Sequence, residues 1–283
     1  MPSLTSPAAW PVSPPLFLVL VAAALYWLGG RRRVSPRDGF EQTGRTIAFA
    51  LGVLAIVVAI DSPLDPLADS LFAAHMAQHV LLLAVAPPLI VVSAPWMRIW
   101  QPLPLRLRRT LARAVVLSPR LRRLRGAAHA LAHPLCAWGL LNVTMVVWHV
   151  PALYDLTLRS EPVHELEHAL FFGTALLFWG AVFDSPPFRA RLDWLWRVAF
   201  VVTGMLVGWV LALVLAFAPS PLYPPYADLS HRPGGLSALA DQQLAAGVMW
   251  VPGSLAYTVA IIVFFYRWLG PAPARRRLGL AGR

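Results

Sequence analysis

Two pairs of histidines provide the clearest chemistry in this sequence. His75 and His79 stand four residues apart, and His164 and His168 repeat that spacing in a later segment. On an α-helix, a spacing of four places both imidazoles on one face. Two such pairs on different helices supply four nitrogen ligands, and imidazole suits zinc, copper and iron. The pairs therefore predict a metal site.

Other donor residues accompany these pairs. Met145 and His149 also stand four residues apart, and Asp241 and Met249 lie at the start of the last apolar segment. Thioether sulfur favours Cu(I), so a mixed set of histidines and methionines favours copper.

The composition indicates which elements must hold these residues. The chain is 58% hydrophobic and 13% charged, with a mean hydropathy of +0.62, which lies outside the range of soluble domains. In lipid the backbone must satisfy its own polar groups, and long unbroken apolar runs favour helices over a barrel. We therefore predict an all-α, polytopic transmembrane helical bundle that forms a single domain over residues 1–283.

Seven apolar segments are candidate membrane spans. The first two are shorter than the roughly 20 residues that a bilayer core requires, so flanking residues must extend them. No basic residue precedes Arg31, so the first segment lacks the charged start of a signal peptide and is expected to be a genuine span. The segments are 15–28, 46–60, 71–93, 134–150, 163–183, 195–218 and 244–268.

The basic residues predict the orientation. All 24 are arginine, and they give the chain a net charge of +11. They concentrate in alternate loops and in the C-terminal tail, whereas the other loops carry most of the acidic residues. The positive-inside rule then places the N-terminus outside and the C-terminus in the cytoplasm. This pattern makes a lipid bilayer the expected partner, and no module typical of nucleic-acid binding is visible.

The cytoplasmic loop 98–126 mixes leucines with nine arginines. The simpler interpretation is a solvated loop that sets the topology. The alternative is an amphipathic helix that lies on anionic lipid headgroups.

On this topology, six of the eight histidines fall at the non-cytoplasmic face. A third pair, His129 and His133, falls at the cytoplasmic face beside the arginines, where a cation is disfavoured, and we interpret it as interfacial. Ionisable groups inside spans are costly to bury, which favours a functional role for the other pairs. The six are His75, His79, His149, His164, His168 and His231.

Two features within the spans have structural interpretations. Pro87 and Pro88 fall in the third span, where they free the carbonyls near Leu83 and Ala84 and should kink the helix. The single cysteine, Cys136, lies in an apolar run and is expected to be a core residue.

Three other functions remain open from the residues. The motif His164-Glu165-x-x-His168 matches that of zinc metalloproteases, although the second histidine pair would then be surplus. Histidines on facing helices can also be axial ligands of a haem in a membrane redox protein. A transporter with an ion relay predicts histidines spread across the membrane depth, which the clustering at one face disfavours.

Four motifs together resemble the polytopic CtaG-type cytochrome c oxidase assembly factors of bacteria, which are distinct from the single-span copper chaperone of the same name. The resemblance covers the second to the seventh span. The motifs are His75-Met76-Ala77-Gln78-His79 running into Ala86-Pro87-Pro88, Trp148-His149-Val150-Pro151, His164-Glu165-Leu166-Glu167-His168, and Asp241-Gln242-Gln243-Leu244 continuing to Pro252-Gly253.

The resemblance implies a multi-pass protein of the bacterial inner membrane that is needed to assemble a haem-copper oxidase. It implies an accessory protein rather than an enzyme, with copper as the cofactor (zinc and haem being alternatives) and an oxidase subunit or another assembly factor as partner. Asp241 or Glu165 would orient imidazoles from outside the ligand set. Carried over by position, the metal-site residues are His75, Met76, His79, His149, His164, His168, Asp241 and Met249.

Overall fold

The computed structural model describes residues 14–30, 39–229 and 231–270, and this part of the chain is helical and contains no strand. The predicted all-α class is confirmed. The helices are α1 Pro14–Gly30, α2 Gly39–Ile60, α3 Leu64–Ala68, α4 Phe72–Val80, α5 Ala86–Ser93, α6 Trp96–Trp100, α7 Leu105–Leu117, α8 Arg122–Leu131, α9 Pro134–Trp148, α10 Pro151–Arg159, α11 Glu161–Val182, α12 Trp194–Phe217, α13 Pro224–Ala227 and α14 Ala238–Leu269.

Several of these helices are long and apolar enough to cross a membrane. Among the described residues, Glu41–Ile60, Phe72–Ser93, Trp194–Phe217 and Ala238–Leu269 qualify. A fifth span results if α8 and α9, which meet at a bend of 76°, are counted as one unit. The chain is therefore a multi-pass membrane protein.

The span Phe72–Ser93 is interrupted at its prolines. A π-helical segment, Leu81–Val85, separates α4 from α5, and Pro87 and Pro88 occupy the first turn of α5. Pro87 cannot donate to the carbonyl of Leu83, and the indole Nε1 of Trp179 donates to that carbonyl instead, at 3.0 Å. This hydrogen bond satisfies a freed carbonyl and ties the break to α11.

Two buried clusters hold the bundle together at its opposite ends. One contains Phe178, Trp179 and Phe264 and joins α11, α12 and α14. The other contains Phe72, Tyr154 and Tyr226 and joins the starts of α4 and α14 to the short helices α10 and α13. The histidine-bearing turns of α4 and α11 lie beside this second cluster.

The single cysteine departs from its expected place. Cys136 is exposed on the surface of the helix bundle rather than buried in the core. It lies in the first turn of α9, next to the bend with α8, where packing partners are few. An apolar run in a membrane helix predicts burial in lipid or in protein, and the sequence does not distinguish the two.

The arginine-rich loop is helical. It forms α6, α7 and α8, and α7 carries exposed leucines among its arginines, with Leu105 at 53% and Leu117 at 70% relative exposure.

Candidate metal centre

Asp241 fixes the start of α4, the helix that carries the first histidine pair. Its two carboxylate oxygens accept hydrogen bonds from the backbone N–H groups of Phe72, at 2.8 Å, and Ala73, at 3.0 Å. These amides are among those that a helix start leaves without partners, and a carboxylate there is favoured by the helix dipole. Asp241 is completely buried. It therefore anchors the helix that positions His75 and His79.

Gln78 fixes the rotation of the same helix. Its amide Nε2 donates to the carbonyl of Ala59, at 2.7 Å, and to Oδ1 of Asp65, at 2.9 Å. Burial raises the pKa of Asp65, and the hydrogen bond from Gln78 opposes that shift. With Gln78 held against α2 and α3, the histidines on either side of it in the sequence face α11.

Four side chains from α4 and α11 converge in the interior. His75, His79, Glu167 and His168 each offer one ligand atom, and these atoms all lie within 4.8 Å of one another. Oε2 of Glu167 lies 3.5 Å from Nε2 of His75 and 3.6 Å from Nε2 of His79. We refer to these four residues as the His/Glu group.

Two further histidines flank this group on opposite sides. The ring of His164 lies 4.9 Å from that of His75 and 4.1 Å from that of His168, measured between centroids. His164 is only partly buried, so it marks the more accessible side of the group. The ring of His149 lies 6.1 Å from that of His79 and is buried. All five predicted histidines therefore meet at one place in the bundle.

Hydrogen bonds at Nδ1 set the tautomers of two of these rings. Nδ1 of His149 lies 2.7 Å from the carbonyl oxygen of Met145, which only accepts, so Nδ1 carries the proton. The hydroxyl of Tyr226 donates to the carbonyl of Ala68, at 2.6 Å, and its oxygen then accepts from Nδ1 of His75, at 3.3 Å. A proton on Nδ1 leaves the lone pair of a neutral ring on Nε2, the state that a metal ligand requires.

The polar atoms of the group show that it fits a cation. The Nε2 atoms of all five histidines and both carboxylate oxygens of Glu167 are buried without a hydrogen-bond partner. Separations of 3.5 and 3.6 Å are too long for good hydrogen bonds. They match two ligands on one tetrahedral ion, which lie roughly 3.3–3.6 Å apart for bonds of about 2.0–2.2 Å. A single metal ion held by His75, His79, Glu167 and His168 would satisfy the charge of Glu167 and one unpartnered atom on each of these side chains.

Comparison with known proteins agrees with the sequence motifs. The family described as cytochrome c oxidase caa3 assembly factor matches residues 24–270. This chain belongs to that family.

The curated relatives are longer proteins. The uncharacterized proteins Mb0105 of Mycobacterium bovis and MT0111 of Mycobacterium tuberculosis are each 24% identical over 88% of this chain and 37% of their own length. The uncharacterized protein ML1998 of Mycobacterium leprae is 22% identical over 88% of this chain and 38% of its own. The chain thus spans less than two fifths of these relatives. No solved structure matches it.

In this caa3 assembly factor family member, the methionines predicted as ligands lie to one side of the His/Glu group. Met76 and Met249 line a pocket that His79 and His149 also line. Met76 is completely buried. The carboxylate of Asp241 faces the start of α4. Among the described residues, no hydrogen bond joins Asp241 to an imidazole.

The sequence analysis assigned the orienting carboxylate on α11 to Glu165 and did not identify Glu167 as part of the site. Glu165 is exposed, whereas Glu167 is completely buried within the group. Helical spacing carries the missing signal, because Glu167 stands three residues after His164 and hence on the same face. A zinc protease of the His-Glu-x-x-His type needs Glu165 as its base, so the exposed position of Glu165 disfavours that function. His129 and His133 are exposed, and neither belongs to the His/Glu group.

Proposed function

We propose that this protein is a membrane accessory factor that binds copper in the His/Glu group and provides it for the assembly of a haem-copper cytochrome c oxidase. The observation that supports this most is the convergence of three imidazoles, those of His75, His79 and His168, on the buried, unpartnered carboxylate of Glu167. Membership of the caa3 assembly factor family supports oxidase assembly as the process that the protein serves. The role is one of binding and transfer rather than of catalysis.

We further propose seven membrane spans with the N-terminus outside, the C-terminus inside and the metal group at the non-cytoplasmic face. The short apolar helix α1, the bent helix α9 and helix α11 would complete the set. The histidines and glutamates of α11 lower its hydropathy, and two of them, Glu167 and His168, are buried inside the bundle. The protein would then be a multi-pass component of the bacterial inner membrane, with its arginine-rich loop on the cytoplasmic side.

The residues around the group have distinct tasks in handling the cargo. His164, on the accessible side, meets an arriving ion first. The buried carboxylate of Glu167 neutralises its charge, while Asp241 and Tyr226 hold α4 and His75 in position. The imidazoles of the group suit copper, and His149 and His164 flank it as further nitrogen ligands for release. A copper-accepting oxidase subunit or another assembly factor is the expected partner.

Haem fits this group less well than a single ion. The imidazole rings of His75, His164 and His168 contact one another directly, with centroids 4.1–6.0 Å apart. A flat macrocycle needs a slot between its axial ligands, and these rings leave none.

The cytoplasmic helix α7 supports a second contact with lipid. Arg106, Arg109 and Arg113 share this helix with exposed leucines. Such a helix can lie on anionic headgroups with its leucines in the acyl boundary. We propose that role in addition to that of a topology determinant.

The function is tested by metal analysis and by oxidase assembly together. The full chain is purified in detergent, loaded with copper and compared with His75→Ala/His168→Ala. The His129→Ala/His133→Ala variant is the matched control, because it removes an exposed histidine pair elsewhere. We expect the first variant to bind less copper than the other two proteins and to fail to restore oxidase activity in cells that lack the gene. Equal copper in all three proteins, or full oxidase activity with the first variant, would refute the proposal.

A further inference from the structure

The methionines of this chain gather beside the His/Glu group. The chain has six methionines, and four of them line one pocket together with His79 and His149. Six methionines in 283 residues would place fewer than one, by chance, among the fifteen residues that line this pocket. The four methionines come from four different helices, so the periodicity of a single helix does not explain why they lie together. They are Met76 on α4, Met145 on α9, Met205 on α12 and Met249 on α14. We refer to this pocket as the methionine chamber.

The chamber adjoins the His/Glu group and extends from it toward the middle of the bundle. Its wall includes Leu83 in the π-helical segment and Tyr257 in α14, both further along their helices from the histidine end. His79 belongs to the His/Glu group and also lines the chamber. His149 lines it as well, and its Nε2 is buried without a hydrogen-bond partner. These two imidazoles connect the two spaces.

Gly208 lies against the sulfur of Met145 at the chamber wall. This glycine is on α12, and a Cβ added there would sit 3.9 Å from Sδ and Cε of Met145. That is ordinary contact, so a small side chain is tolerated, whereas a large one would reach the methionine side chain and the pocket beside it.

We propose that the methionine chamber is a second metal site, selective for a soft monovalent ion of the Cu(I) type. Thioether sulfur is a weak ligand for hard divalent ions and a good one for Cu(I). The His/Glu group, with a carboxylate and three imidazoles, also accepts divalent ions. The proposal rests on the proposed function in that copper is the cargo of both sites. Copper passes between them as Cu(I), with no change of oxidation state, through His79 and His149, which line the chamber.

The test uses Ag(I) as a soft probe that does not change its oxidation state. All proteins carry Cys136→Ser, because an exposed thiol would bind silver on its own. The full chain in detergent is loaded with Ag(I), and metal–sulfur scattering is measured by X-ray absorption. We expect sulfur ligands in the parent protein and fewer of them in Met145→Leu/Met205→Leu, which keeps Met76 and Met249. Affinity for Ag(I) should fall at least about tenfold, since even groups outside the ligand set change metal affinity by ten- to a hundredfold.

The matched control is Met97→Leu, because Met97 lies outside the chamber and is 51% exposed. It should bind Ag(I) like the parent. If the four methionines only fill space, then Met145→Leu/Met205→Leu will also bind like the parent, since leucine replaces methionine at nearly constant volume. That result, or scattering from nitrogen and oxygen alone in the parent, would overturn the proposal.

A second variant keeps every sulfur atom. Gly208→Leu fills the chamber, so it should weaken Ag(I) binding while Co(II) binding to the His/Glu group reports that the protein is folded. Unchanged Ag(I) affinity in Gly208→Leu would also overturn the proposal. Conversely, His75→Ala/Glu167→Gln should lose Co(II) and keep the silver–sulfur signal. The two sites can therefore fail independently: absent Co(II) binding counts against the proposed function, and absent silver–sulfur scattering counts against the chamber.

Discussion

Replacing Glu167 by glutamine should make the metal-free protein more stable while it weakens metal binding. The substitution keeps the shape of the side chain and removes its charge. Glu167 is completely buried, and neither of its carboxylate oxygens has a hydrogen-bond partner. The charge that prepares the site for a cation is therefore a cost to the empty protein.

The expected magnitudes follow from that environment. An unpaired buried ion costs several kcal/mol, of which we expect Glu167→Gln to recover about 1–3 kcal/mol. Each kcal/mol corresponds to about 2–4 °C in Tm for a chain of this size class. Metal at a thousand times its Kd adds about 4 kcal/mol to the wild-type protein. If the variant binds about a hundredfold more weakly, the same metal concentration adds only about 1.4 kcal/mol.

The assay is thermal unfolding of the purified protein in detergent, with chelator and with added Co(II) or copper. Glu165→Gln is the matched control, because Glu165 is an exposed glutamate on the same helix. Its Tm with chelator and its metal-induced shift in Tm should both equal those of the wild-type protein. The alternative is that Glu167 forms an ion pair with a protonated His75 or His79. In that case Glu167→Gln leaves a buried cation unpaired and destabilises the metal-free protein by about 3–5 kcal/mol. A lower Tm with chelator, together with an unchanged metal-induced shift, would refute our reasoning.

Three further substitutions test the residues that position the site. Tyr226→Phe removes the hydroxyl that holds Nδ1 of His75 and should weaken Co(II) binding about tenfold in a titration, whereas the exposed Tyr266→Phe should not; equal affinities would contradict the tautomer assignment. Asp241→Ala leaves two buried amides without their charged acceptor, which should lower the free energy of unfolding by about 3–5 kcal/mol, and an unchanged Tm would show that Asp241 does not anchor α4. Trp179→Phe removes the donor to a carbonyl freed by proline and should cost about 1–3 kcal/mol, measured against the exposed Trp196→Phe.

The sequence predicts the helical class and the meeting of the histidines well, because both depend on local spacing. A spacing of four residues needs only a helix to bring His75 beside His79. The apolar runs require helices as soon as lipid is the solvent. The freed carbonyl at Leu83 also follows from local rules, since Pro87 removes its donor wherever the chain lies.

The residue roles that the sequence did not predict depend on contacts between distant segments. Asp241 anchors a helix start 168 and 169 residues away in the chain, and no local pattern reveals such a pairing. The choice between Glu165 and Glu167 depends on which face of α11 meets α4. The indole that replaces the missing donor at Leu83 comes from another helix. The chamber formed by methionines from four helices likewise exists only once the helices are packed.

The most direct test of the central claim is to locate the metal in the protein. Crystals of the full chain loaded with copper would be measured at wavelengths on either side of the copper absorption edge. We predict an anomalous peak between α4 and α11, within bonding distance of His75, His79, Glu167 and His168. A copper-loaded protein with no peak there, or with its only peak at His129 and His133, would contradict the account.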